Sequence, residues 1–62
     1  MNSTTAELAS VVTALAEITG RVTSIAEDVA GTTRDDLANE LFEVERTLVR
    51  AQRRLAKVVE SG

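Results

Sequence analysis

Cysteine, histidine, proline, tryptophan and tyrosine are absent from this chain of 62 residues, and Phe42 is its only aromatic residue. Without cysteine and histidine the chain can form neither a disulfide nor a zinc-thiolate site, and it lacks the residues of Ser-His-Asp and Cys-His catalytic sets. The three glycines stand far apart, so no glycine-rich phosphate loop is present. We therefore predict a protein that is not an enzyme and that holds no metal and no cofactor.

The absence of proline leaves long helices unobstructed, and the apolar residues are almost all Ala, Val, Leu and Ile. A chain this short buries only about 60% of its unfolded surface. Small domains compensate with disulfides, a metal or self-association. Because the first two are excluded here, the composition predicts self-association.

Charge and hydropathy along the chain bear on its location and partners. The formal net charge is −3, which argues mildly against a general nucleic-acid binder. The N-terminus has no basic region, and polar residues such as Thr13, Glu17 and Arg21 interrupt every apolar stretch of the first half. We expect no signal peptide, no membrane span and a cytoplasmic location.

The first half of the chain carries apolar residues at alternating steps of three and four. They are Leu8, Val11, Leu15, Ile18, Val22, Ile25 and Val29. This spacing is typical of one face of an amphipathic helix in a coiled coil, and it predicts a first helix over about residues 5–30.

The second half repeats the pattern out of phase. Its apolar positions are Leu37, Leu41, Val44, Leu48, Ala51, Leu55 and Val58. They predict a second helix over about residues 34–60. Continuing the first heptad would place the polar residues Thr32, Asp36 and Asn39 in the core, so we predict a turn at 31–33, where Gly31 ends the first helix. Thr33 and Asp36 resemble a capping box that begins the second.

These features predict one all-α domain over 1–62, an antiparallel two-helix hairpin with coiled-coil-like packing. In the predicted seam, facing residue numbers sum to 66. Leu8 then meets Val58, and Val29 meets Leu37. We expect the hairpin to dimerise into a four-helix bundle, because each helix has more apolar surface than one neighbour covers.

One flank of the predicted hairpin, largely apolar, is the expected dimer interface. Its residues are Val12, Ala16, Thr19, Ala26, Ala38, Phe42, Glu45, Val49, Gln52, Ala56 and Val59. Two readings of Glu45 and Gln52 remain open: they set the register of a partner, or they lie at the rim of the interface. The rim is favoured, since charged residues are seldom fully buried.

The second half of the second helix is strongly basic. Its cations are Arg46, Arg50, Arg53, Arg54 and Lys57. One interpretation is that they complement the helix dipole and keep the surface soluble. The other is that they bind a polyanion, although the lack of aromatic residues weakens the nucleic-acid version.

Taken together, the sequence predicts a small, non-enzymatic oligomerisation or protein–protein interaction module that acts as a self-associating hairpin. Its expected partner is a second copy, in a homodimer. Two alternatives remain: a small nucleic-acid-associated regulator that uses the basic residues, and an adaptor that captures a helix of another protein.

Overall fold

The computed structural model describes residues 3–61 as two α-helices, α1 (Ser3–Val29) and α2 (Asp35–Ser61), of 27 residues each. The helices pack against each other as a hairpin of 49 × 14 × 10 Å. The all-α class and the helical hairpin are confirmed, and the helix ends lie within two residues of the predicted ones. Met1, Asn2 and Gly62 belong to the predicted domain and lie outside the described residues.

The turn between the helices depends on Gly31, whose φ of +78° favours glycine over residues with a side chain. The Gly31 N–H donates to Asp35 Oδ1 at 2.6 Å. The Thr32 hydroxyl donates to the carbonyl of Val29 at 2.5 Å and accepts from the Arg34 N–H at 3.0 Å. The chain therefore uses local side-chain hydrogen bonds to end α1 and to begin α2.

The capping residues are displaced by one position from the predicted pair. Thr32 accepts from the Arg34 N–H and Asp35 accepts from the Gly31 N–H, whereas the predicted box has Thr33 and Asp36 accept from each other's N–H groups. The reason is that the left-handed residue at Gly31 reverses the chain at once, which places the Thr32 hydroxyl against the first N–H groups of the next segment.

Replacing the two helix-associated glycines with alanine should have opposite effects on stability. A Cβ at Gly31 meets no atom within 4 Å, so Gly31→Ala costs only the left-handed strain, about 1 kcal/mol. A Cβ at Gly20 is also unobstructed within α1, and Gly20→Ala should stabilise by about 1 kcal/mol. Thermal melting should shift by about 4–8 °C per kcal/mol in a domain of this size. Shifts of the same sign would contradict the turn.

Burial along each helix repeats at seven-residue intervals. In α1, Thr5, Thr19 and Ala26 are buried and Val12 is half-buried; in α2, Ala38 is buried. The corresponding half-buried positions of α2 are Glu45, Gln52 and Val59. We call these eight positions the inter-helix line, since each helix turns them toward the other.

The predicted seam is wrong in its rotation about the helix axes. Five of its members are the large apolar residues that the structure leaves most exposed. They are Val11 (49%), Ile18 (49%), Ile25 (53%), Val44 (44%) and Val58 (52%). The helices meet instead through the side of the apolar arc that carries Ala26 and Ala38, because short side chains let two helix axes approach closely.

Candidate interaction surfaces

The five exposed apolar residues lie on one side of the hairpin. Each directly precedes a residue of the inter-helix line, as Val11 precedes Val12 and Val44 precedes Glu45. Successive residues are rotated by about 100° around a helix axis, so a residue that precedes the inter-helix line points to one side of the plane through the two axes. In antiparallel helices, the residues that precede this line point to the same side in both helices. We call this side the apolar face. Its inner part is lined by half-buried leucines and valines: Leu8, Leu15, Val22, Leu41, Leu48 and Leu55.

The hairpin by itself covers little apolar surface. Within residues 3–61 the buried apolar residues are Ala26 and Ala38, and no large side chain is fully buried. The accessible surface is 4655 Å². A folded monomer of 6.6 kDa is expected to expose about 3,900 Å². The isolated chain thus exposes more surface than a compact monomer of its mass, and its exposed large hydrophobic side chains lie on the apolar face.

Several residues of the predicted dimer interface are occupied within the chain. Ala26, Ala38 and Thr19 are 0%, 2% and 6% exposed, because the other helix of the same chain covers them. Of the other eight predicted residues, Ala16 is exposed and seven are half-buried along the same contact, Glu45 among them. The other half-buried ones are Val12, Phe42, Val49, Gln52, Ala56 and Val59. In this conformation a partner cannot reach the buried three. The predicted dimer interface stays a prediction, as does dimerisation itself.

Glu45 and Gln52 connect the two helices of one chain. The Thr23 hydroxyl donates to Glu45 Oε2 at 2.7 Å, and the Thr19 hydroxyl lies 2.6 Å from Gln52 Oε1. Glu45 and Gln52 are both half-buried. These polar pairs hold α1 and α2 in one relative position, since sliding either helix would leave the hydroxyls and their partners apart.

The Thr19 hydroxyl has two neighbours and one hydrogen. It lies 2.7 Å from the carbonyl oxygen of Leu15 as well as 2.6 Å from Gln52 Oε1. If the Gln52 amide is turned by half a rotation, its Nε2 donates to the hydroxyl oxygen and the hydroxyl donates to Leu15. That arrangement satisfies the Thr19 hydroxyl, the Gln52 amide nitrogen and the Leu15 carbonyl together.

The basic residues of α2 border a shallow open cleft of 360 Å³. Its lining is Glu45, Arg46, Val49, Arg50 and Arg53. Arg46 forms an ion pair with Glu43, and both side chains are about two-thirds exposed. A pair this exposed contributes little to stability. The charged residues that line the cleft therefore contribute little to the stability of the fold.

A second open cleft, of 250 Å³, lies between the free ends of the helices. Its lining is Ala9, Val12, Ala56, Val59 and Glu60. No group of three or more acidic side chains within residues 3–61 is arranged to hold a metal ion. The arrangement offers surfaces for association and for contact with charged groups.

By length and composition alone, α1 is long and apolar enough to cross a membrane. Core helices of soluble proteins and signal sequences meet the same criterion. The predicted cytoplasmic location stays a prediction.

Comparison with known proteins returns no matching family model, no similar curated protein and no similar solved structure.

Proposed function

We propose that the protein is a small, non-enzymatic, self-associating helical hairpin whose apolar face binds a second copy to form an antiparallel four-helix bundle. The observation that carries this proposal is the exposure of five large aliphatic side chains on one face of a hairpin in which no large side chain of residues 3–61 is fully buried. A contiguous apolar surface of this extent is unusual on a soluble monomer. The proposal keeps the self-association predicted from the sequence and assigns the contact to the apolar face in place of the predicted flank, of which Thr19, Ala26 and Ala38 are covered within the chain.

The area that a dimer would bury supports a second copy. Two separate hairpins expose twice 4655 Å², whereas a folded protein of twice the mass is expected to expose about 6,400 Å². The difference is about 2,900 Å² in total, which falls in the range of obligate homodimers. A contact of normal compactness between two copies is therefore large enough for a permanent assembly.

The charges beside the apolar face favour an antiparallel pairing of the two α2 helices. Glu40 and Arg54 both border the face, since each lies three or four residues from its aliphatic positions. The midpoint of α2 is Leu48. A two-fold axis near this residue aligns the helix ends and places Glu40 beside Arg54 of the second copy. The same axis sets Val44 against Ala51 of the second copy, so apolar residues meet in the same register.

Sedimentation or light scattering should report twice the 6.6 kDa chain mass, and the melting temperature should rise with concentration because dissociation accompanies unfolding. Glu40→Arg alone should weaken association, since it places two cations together, and adding Arg54→Glu should restore it. A 6.6 kDa species that melts cooperatively at every concentration would contradict self-association and favour the adaptor that captures another helix.

A further inference from the structure

The helix dipole does not account for the basic half of α2. Five cations lie between Arg46 and Lys57, whereas the last turn of the helix contains none. The favourable interaction of a cation with the helix dipole falls off within that last turn. The arginines stand up to three turns earlier, so their concentration there has a different cause.

The rest of the hairpin leaves this charge largely uncompensated. Within residues 3–61, Arg46 is the one basic residue with an ion pair. In α1, the residue that contacts Gln52 is the uncharged Thr19, and the charged residues nearest to it, Glu17 and Arg21, are of opposite sign. Glu45 is the acidic residue that lines the cleft, where it accepts a hydrogen bond from Thr23. The local charge is positive despite the acidic total, since screening limits each charge to about 10 Å at 0.1 M salt.

The same residues stay accessible when the apolar face is covered. Arg46 and Arg53 directly follow Glu45 and Gln52 of the inter-helix line, so they lie on the side opposite the apolar face. Arg50 and Lys57 turn further outward, and all four are exposed. We call Arg46, Arg50, Arg53 and Lys57 the basic stripe. It extends about 16 Å along α2 at 1.5 Å per residue.

We propose that the basic stripe binds the phosphate backbone of duplex nucleic acid without reading its sequence. A straight row of three guanidinium groups and one ammonium group suits a phosphate backbone, and about 16 Å of duplex presents roughly nine negative charges. The single aromatic residue, Phe42, is half-buried and lies outside the stripe, so no side chain here stacks on unpaired bases. The proposal therefore selects a duplex over a single strand, and it holds for a monomer as well as a dimer.

Titration of a short DNA duplex at several salt concentrations tests the proposal. Four neutralised phosphates give a slope of log K against log salt of about −3.6 per stripe. Arg50→Gln with Arg53→Gln should reduce that slope by about half and weaken binding on the order of a hundredfold at about 50 mM salt. The matched control is Arg21→Gln with Arg34→Gln, which changes the net charge of −3 by the same two units. Both control residues lie outside the stripe, and the control should bind as the unchanged protein does.

A variant that removes a negative charge beside the basic stripe should have the opposite effect on duplex binding. Glu45→Gln removes the carboxylate from the cleft and keeps an acceptor for Thr23, so it should tighten duplex binding. All variants are first compared for helix content and mass, because the arginines are exposed and their loss should leave the fold intact. Absence of duplex binding at about 50 mM salt, where such contacts are favoured, would overturn the proposal. Equal losses in the stripe and control variants, or binding to anionic lipid vesicles instead of DNA, would overturn it too.

Discussion

Glutamate at both Ile18 and Ile25 should convert the protein into a largely unfolded monomer. In a lone hairpin these side chains are 49% and 53% exposed, so acidic replacements there would meet water and cost little. In a dimer closed over the apolar face, they would bury four carboxylates without partners, each at a cost of several kcal/mol. Since a small domain has only about 5–15 kcal/mol of stability, the assembly would not survive.

The matched control for this variant is Ser10→Glu with Ser24→Glu. These serines are exposed positions of the same helix, on its outer side, and the pair alters the net charge by the same amount. Surface substitutions of this kind usually change stability by less than about 0.5 kcal/mol. Circular dichroism and sedimentation at matched concentration distinguish the two variants. If both variants melt like the unchanged protein, the apolar face binds no second copy.

Replacing Ala26 with leucine should be the most damaging single change inside the hairpin. Ala26 is fully buried and Ala38 on the other helix is 2% exposed, which identifies the close approach of α1 and α2. A larger side chain there forces the helices apart, and overpacking costs about 1–3 kcal/mol. At about 4–8 °C per kcal/mol, thermal melting should show a clear decrease.

Ala14→Leu provides the comparison, because Ala14 is an exposed residue of the same helix and the substitution is identical. It should change the melting temperature little. The experiment distinguishes the two rotations of the hairpin directly. Had the predicted seam been the contact, Ala26 would lie outside it on the expected dimer flank, and Ala26→Leu would change association rather than the packing of α1 against α2.

Helices, turn and hairpin could be predicted from the sequence because they depend on local chemistry. A strict alternation of three and four defines a helical stripe, and the loss of phase at Thr32, together with Gly31, requires a reversal of the chain. The exact cap could not be predicted in the same way. Threonine and aspartate occur twice in adjacent positions, and only the geometry after Gly31 selects Thr32 and Asp35.

What the sequence alone determined is therefore the pair of helices, their antiparallel connection and the width of their apolar arcs. Only the tertiary structure decided which part of each arc meets the other helix. In α1, four adjacent rows of residues spaced seven apart are apolar or small, and the spacing alone does not show which of these rows forms the contact. Packing selected the rows of Ala26 and Ala38, where short side chains allow close approach, and left Val11, Ile18 and Ile25 exposed. The same rotation of α2 about its axis also placed the basic stripe on the side opposite the apolar face, because all residues of a helix rotate together.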